Sequence, residues 1–257
     1  MNKTALITGA SVGIGSEFCK LFAKEGYDLV LVARSQDKLE TLAEELQSQY
    51  QITAHVIAKD LTKPETAQEL FSETQDKNLT IDILVNNAGI GSSGKFTDLD
   101  LVAELNMIQL NVTTLVALCH LYGKAMSERK QGEILNVAST AAFQSGPYMA
   151  NYYASKSYVL LFSEGLHEEL KKDGVSVTAL CPGPTATEFF NAADMTSTNL
   201  AKSPLIMPAS KVARIGYNAM NKNKAVVVTG LINNLMAQSV RISPRLVIRK
   251  VVTFLNT

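Results

Sequence analysis

Cysteine, histidine and acidic residues are each missing where particular functions would need them. Cys19, Cys119 and Cys181 are odd in number and far apart, which excludes a disulfide framework and any CxxC metal or redox motif. His55, His120 and His167 are equally scattered, so no metal site is expected, and all six residues are read as core or surface positions. No apolar run approaches the ~18 residues of a membrane span. MNKTALITGA leads directly into a strand-like segment, leaving no room for the apolar core of a signal peptide. A reducing, cytoplasmic setting is the expectation. Lys plus Arg and Asp plus Glu both total 24, so no global charge points to nucleic acid. The distribution is nevertheless uneven, because no acid follows Asp194. Nine cations do, giving the last quarter +9 and leaving fifteen cations against twenty-four acids, or −9, before it.

What is present suits one large α/β domain, since 257 residues with 46% hydrophobic content can fill a substantial core. Residues 4–8, 28–33, 53–58, 81–85, 132–138, 175–181 and 225–229 are short runs rich in β-branched residues and apolar on both faces, as buried parallel strands require. Helical patterns lie between them. In residues 35–50, for example, Leu39, Leu42, Ala43 and Leu46 form one stripe and the charges another. The alternation predicts a single Rossmann-like, doubly wound parallel sheet of about seven strands with helices on both faces. No Pro/Gly-rich linker, repeat or low-complexity segment divides it. Residues 98–129 read as a helix pair or a bent helix with Asn111 well inside. Residues 185–207 are polar and irregular and follow a strand end, where an insertion would overhang the ligand crevice as a lid.

TGASVGIG, residues 8–15, follows the first strand and opens a helix. Gly9, Ser11, Gly13, Ile14 and Gly15 would let the backbone approach a pyrophosphate at the helix N-terminus. The spacing is GxxxGxG rather than GxGxxG, and such a turn by itself is also compatible with a tight strand-to-helix connection. The end of the second strand, ~20 positions on, is where an acid would hold the ribose 2′-hydroxyl of NAD. Here Ala33 is followed by Arg34, which can pair with a 2′-phosphate, so NADP(H) is expected and Ser11 would add a hydroxyl. The plain alternative is a solvated arginine starting the next helix. Asp60 and Leu61 after the third strand would meet the adenine. Asn86, Asn87, Ala88 and Gly89 after the fourth supply small residues beside the cofactor, although each could equally be an Asx turn or helix cap.

In NYYASK, residues 151–156, helical geometry stacks residues four apart, so Tyr152 stands over Lys156 while Tyr153 diverges into packing or a subunit contact. Tyr148 follows a Gly-Pro loop and is expected to face substrate.

Taken in order, TGxxxGxG at 8–15, NNAG at 86–89, Ser139, Tyr152-x-x-x-Lys156 and PGPTAT at 182–187 resemble the short-chain dehydrogenase/reductase family over roughly the first 190 residues. The resemblance implies an active site of Asn111, Ser139, Tyr152 and Lys156. Pro182, Gly183, Thr185 and Thr187 would close over the nicotinamide, and Asn111 would bend its helix and anchor a water linked to Lys156. From chemistry alone, an Asn in a helix is more often solvent-facing or bonded to backbone. The mechanism expected is hydride transfer between NADP(H) and a small-molecule carbonyl or alcohol substrate, with Tyr152 as general acid/base. Bringing a phenol from pKa ~10 to ~7 takes roughly 4 kcal/mol, which the Lys156 ammonium would largely supply. Lys156 would also bond the nicotinamide ribose, Ser139 would hold the substrate oxygen, and Phe189 and Phe190 would wall an apolar pocket. The competing reading, a non-catalytic NADP-binding sensor, gives no reason for the four residues to occur together. Family resemblance further implies a homodimer or homotetramer through the long helices near 99–129 and 152–172.

The basic C-terminal extension, residues 231–257, departs from those motifs. Arg241, Arg245 and Arg249 recur every four residues among apolar side chains, and Pro244 breaks any continuous helix. Peripheral contact with an anionic membrane and packing against the domain or a sister subunit are both compatible with it.

Overall fold

The β-branched runs become strands because their side chains are covered on both faces. In the computed structural model, which describes residues 2–196 and 198–257, β1 (Thr4–Thr8) is buried at every position. α1 (Gly13–Lys24), β2 (Asp28–Ala33), α2 (Gln36–Tyr50), β3 (Ala54–Ala58), α3 (Thr66–Asp76) and β4 (Ile83–Asn86) complete the first half. After a loop come α4 (Leu101–Ile108), α5 (Leu115–Glu128), β5 (Gly132–Val137), α6 (Ala150–Leu170) and β6 (Val175–Cys181). The rest is β7 (Thr185–Ala186), α7 (Phe189–Ala192), β8 (Met207–Pro208), α8 (Ala209–Met220), β9 (Val226–Val228), α9 (Leu231–Ser239) and α10 (Arg245–Asn256).

Seven strands form one sheet in the order β3-β2-β1-β4-β5-β6-β9, every pairing parallel. Register is fixed by burial. Ile7 stands beside Leu31 and Val85 and packs on the face covered by Phe18, Leu39 and Val212 of α1, α2 and α8. Leu6 and Val30 point the other way, to Leu70, Tyr122 and Val159 of α3, α5 and α6, as the two-residue period of a strand dictates. Successive strands are added outward in opposite directions from β1 and β4, a switch in strand order that leaves a crevice at their carboxyl ends. The seven strands and the two helical layers agree with the expectation from the sequence.

α4 and α5 are one continuous helix, Leu101–Glu128, joined by a wider π-helical stretch, Gln109–Thr114, with Asn111 at its centre. By length and composition this helix, with mean hydropathy 1.5 in its most apolar window, could cross a membrane. The expectation that no segment would reach that limit is therefore corrected. The helix packs here against α3, β4, β5 and α6, and its Glu104 and Asn111 are buried and hydrogen-bonded.

The segment 185–207 is less irregular than its composition suggests, with Ser197 outside the described residues. Thr185 pairs with Met207 and Ala186 with Pro208 as a two-stranded clasp. Within the loop so closed, Ala193 and Met195 are buried against Met149, Tyr153 and Val252. Leu200 N donates to Leu255 O at 2.9 Å, and Asn199 Nδ2 to Phe254 O at 2.8 Å, so this segment and α10 form a common roof. Pro244 ends the turn after α9 and caps α10, breaking the tail into two helices at the residue expected from the sequence.

Candidate active site

The crevice opens into a cavity of ≈ 700 Å³ that runs from the glycine turn, past β4 and β5, to the roof. Glycine is required at the turn. Gly9 and Gly13 have φ of +66° and +60°, in the left-handed region, and a Cβ on Gly9 would meet Asn87 Nδ2 at 2.8 Å. One on Gly13 would meet Thr187 Cγ2 at 3.0 Å. Gly9, Ser11, Gly13 and Ile14 line the cavity where α1 begins. Gly15 does not line it. A Cβ there would lie 2.1 Å from Gly9 O, so this glycine permits packing beneath the turn instead of touching a ligand.

Arg34 lines the cavity at the end of β2, is exposed, and forms no salt bridge among the described residues. Asp60 and Leu61 line it as well. Burial raises the Asp60 carboxyl, but hydrogen bonds from the Thr62 amide and hydroxyl, with Arg34 and Lys63 nearby, leave it below its ordinary value. Beyond β4 the four-residue motif divides. Asn87, Ala88 and Gly89 line the cavity, whereas Asn86 turns into the core. Its Nδ2 donates to Asn136 Oδ1 at 2.9 Å and approaches Cys119 Sγ at 3.2 Å. Asn86 therefore ties β4 to β5 and is removed from the expected cofactor contacts. The strand pleat explains this, because neighbouring residues face opposite sides.

Tyr152 and Lys156 share a face of α6 and both line the cavity, with Lys156 Nζ 5.8 Å from the Tyr152 ring centre. Ser139 lies opposite, at the end of β5. Its Oγ accepts from Ala141 N at 3.0 Å, which fixes the hydroxyl at the start of a helical turn. Lys156 Nζ donates to Val137 O at 2.8 Å. Burial pushes the Tyr152 phenol up to about 12, opposed by its hydrogen bond with the Ser139 hydroxyl. Burial likewise presses the Lys156 ammonium down to about 8. The lowering of the phenol expected from Lys156 is opposed here by burial, which acts in the other direction. The ammonium is held on a backbone carbonyl instead of on the phenol oxygen.

Asn111 does not line the cavity but stands behind its wall. Its Oδ1 accepts from Ile90 N at 3.0 Å, and its Nδ2 donates to Ile90 O at 2.9 Å and Ser155 Oγ at 3.2 Å. The amide clamps the loop after β4 to α6 from the bend in its own helix. A Cβ on Gly89 would lie 3.2 Å from Asn111 Oδ1 and 3.3 Å from Lys156 Nζ, so these three positions adjoin.

Pro182, Gly183, Thr185 and Thr187 line the far side. Thr185 Oγ1 donates to Gly183 O at 2.9 Å, and Phe189 N donates to Thr187 Oγ1 at 3.3 Å. The Phe189 ring sits 5.2 Å from that of Tyr152, and both Phe189 and Phe190 wall the cavity. Tyr153 is buried and donates to Asn256 Oδ1 at 3.2 Å, a packing role that locks α10. Tyr148, expected to face substrate, is exposed outside the cavity, and its carbonyl accepts from Gly94 N.

Several contributors were not legible in the sequence. Buried Glu104 accepts from Ser92 Oγ at 2.5 Å and Asn151 Nδ2 at 2.7 Å, holding the residue before Tyr152. Gly91 makes room for Phe189, whose ring would lie 2.6 Å from an added Cβ. Met236, Val240, Ile248 and Leu255 of the C-terminal extension line the roof. Of these, Gly91, two residues beyond the Asn-Asn-Ala-Gly motif, is the one a glycine pattern could have flagged.

The glycine cradle, the exposed Arg34 and the N-terminus of a twelve-residue helix form a donor set suited to a dinucleotide. The family profile described as short chain dehydrogenase matches residues 3–197. An uncharacterized oxidoreductase of Staphylococcus saprophyticus is 34% identical over 186 residues, 72% of this chain and 80% of that protein. A 7beta-hydroxysteroid dehydrogenase of Mediterraneibacter gnavus is 32% identical over 182 residues, 71% of this chain and 68% of that protein. The solved structure of a short-chain dehydrogenase from Sphingobium yanoikuyae in complex with NADPH superposes with a TM-score of 0.83 at 30% identity, covering 95% of this chain and 96% of that one.

Proposed function

The chain belongs to the short-chain dehydrogenase/reductase family, an oxidoreductase family using nicotinamide cofactors, and from that premise we propose that it is NADP(H)-dependent and reduces an apolar ketone through Tyr152. The observation that carries the reading is the meeting of Ser139, Tyr152 and Lys156 in the same cavity as the glycine turn and Arg34. Gly9, Gly13 and the N-terminus of α1 would receive the pyrophosphate, Arg34 with Ser11 the 2′-phosphate, and Thr185 and Thr187 the nicotinamide end. A nicotinamide held there would supply the hydride for the carbonyl carbon.

The protein's own part is to place and move a proton. A phenol held near 12 is fully protonated at pH 7, the state needed to donate to a carbonyl oxygen as it gains charge. The Ser139 hydroxyl, fixed by Ala141 N, orients that oxygen. Lys156, mostly charged below about pH 8, stabilises the phenolate left behind. Phe189, Phe190 and the roof exclude water and favour an apolar substrate, in keeping with the steroid activity named for the Mediterraneibacter relative.

The exposed apolar side chains Leu101, Val102, Leu105 and Leu161 on α4 and α6 support self-association through these helices. The test of function is Tyr152→Phe, which keeps the ring against Phe189. Turnover of ketones with NADPH should fall by at least ~10²-fold while NADPH binding, followed by fluorescence titration, stays near the parent value. Retained turnover defeats the assignment.

A further inference from the structure

We propose that the outer faces of α9 and α10 dock the protein on an anionic lipid bilayer. On an ordinary surface helix the apolar stripe faces inward and the polar one outward. These two helices carry large apolar side chains on the outward face as well as the inward one. α9 buries Asn233 and Ala237, while Leu231 and Leu235 point outward at 75% and 61% exposure. α10 buries Asn256, whose amide is used by Tyr153 and Pro147, and leaves Leu246 and Phe254 outward at 57% and 65%. Ile242 in the turn between them is 88% exposed. Packing against the domain, the simpler use of this segment, accounts for Val252 and Asn256 but leaves these five large side chains uncovered.

Charge selects the occupant. Arg241, Arg245, Arg249 and Lys250 are exposed and interspersed in sequence with these apolar residues, Arg249 and Lys250 one helical turn from Leu246, and none forms a salt bridge among the described residues. No acid occurs anywhere after Asp194 to neutralise them. A second copy meeting this face by two-fold symmetry would oppose like charges across an apolar patch, which disfavours self-association there. An anionic bilayer offers acyl chains to the leucines and phenylalanine and headgroup charge to the flanking cations. The inner edge of α10, through Ile248 and Leu255, lines the cavity roof, so docking would bring that roof to the lipid.

The docking does not depend on the redox reading, and its test reads no turnover. The full chain is sedimented with phosphatidylcholine vesicles, with and without phosphatidylglycerol. Binding is expected only to the anionic vesicles, weakening as salt rises from about 0.1 M to about 0.5 M because the Debye length shrinks. The double substitution Arg245→Glu/Arg249→Glu should lower the bound fraction at least about tenfold, and Leu235→Ser/Phe254→Ser should do the same, with thermal midpoints near the parent value. Recovery of the parent in the supernatant with both vesicle types, or equal binding to neutral vesicles, overturns the proposal. So does a shift of Leu235→Ser/Phe254→Ser to a smaller oligomer in solution, which would make the face an interface between copies.

Discussion

Replacing Lys156 with methionine should make the protein more stable and inactive at the same time. Lys156 is 5% exposed, so little solvent remains to screen its ammonium, and burial lowers its pKa from 10.5 to about 8. That depression corresponds to about 3 kcal/mol of penalty for keeping the charge in the folded state at neutral pH. Methionine has similar length and no charge. It forfeits the bond to Val137 O, worth about 1 kcal/mol, leaving a net gain of about 2 kcal/mol, or roughly 5 °C in midpoint for a chain of this size. The pH dependence separates this cause from better packing. Below about pH 8 both folded and unfolded parent hold the proton, so the methionine advantage is constant. Between about 8 and 10.5 the unfolded parent binds more protons than the folded one, so the parent gains stability as pH rises. The advantage should therefore shrink through that window and reverse by about 1 kcal/mol above it. Urea unfolding of both proteins at pH 7, 8, 9 and 10 without added nucleotide reads the difference directly. A methionine variant less stable at pH 7, or a difference that does not change with pH, refutes the reasoning.

Other outcomes follow from the same geometry. Arg34→Glu should invert the cofactor preference, raising KM for NADPH relative to NADH by roughly 10²-fold through like-charge repulsion, with unfolding free energy within about 0.5 kcal/mol of the parent because Arg34 is exposed; an unchanged ratio of the two KM values removes Arg34 from the site. Glu104→Ala strands the Ser92 hydroxyl and the Asn151 amide and should cost about 1–3 kcal/mol in urea unfolding. It should also lower kcat more than KM, since Asn151 precedes Tyr152, and an unaltered kcat denies that positioning. In the reductive direction, kcat/KM should be level at neutral pH and fall above about pH 8 as Lys156 loses its proton, while Tyr152 stays neutral until about 12. A pH profile that falls only above pH 10 would assign the ionisation elsewhere.

Legibility divided according to how far each feature depends on contacts distant in sequence. The strands could be read to within two residues at either end because a parallel strand buried on both faces admits only apolar, β-branched side chains, whatever its neighbours. The Tyr152 and Lys156 pair could be read because a helix fixes which residues share a face. Asn86 was misplaced because the pleat, not the motif, decides which residue of Asn86 and Asn87 reaches the crevice, and a shift of one position reverses the answer. Glu104 was invisible because its partners lie 12 and 47 residues away, on a loop and a helix whose approach no local pattern announces. The protonation states are the most instructive miss. Proximity of a lysine to a phenol invites the conclusion that the charge lowers the phenol's pKa, yet burial acts on both groups and drives them apart in the opposite sense. Sequence spacing supplies the proximity, but burial arises from Phe189, Met195 and the C-terminal helices folding over the cavity. The sign of an electrostatic effect inside a protein is set by that competition, and only the packed chain contains both sides of it.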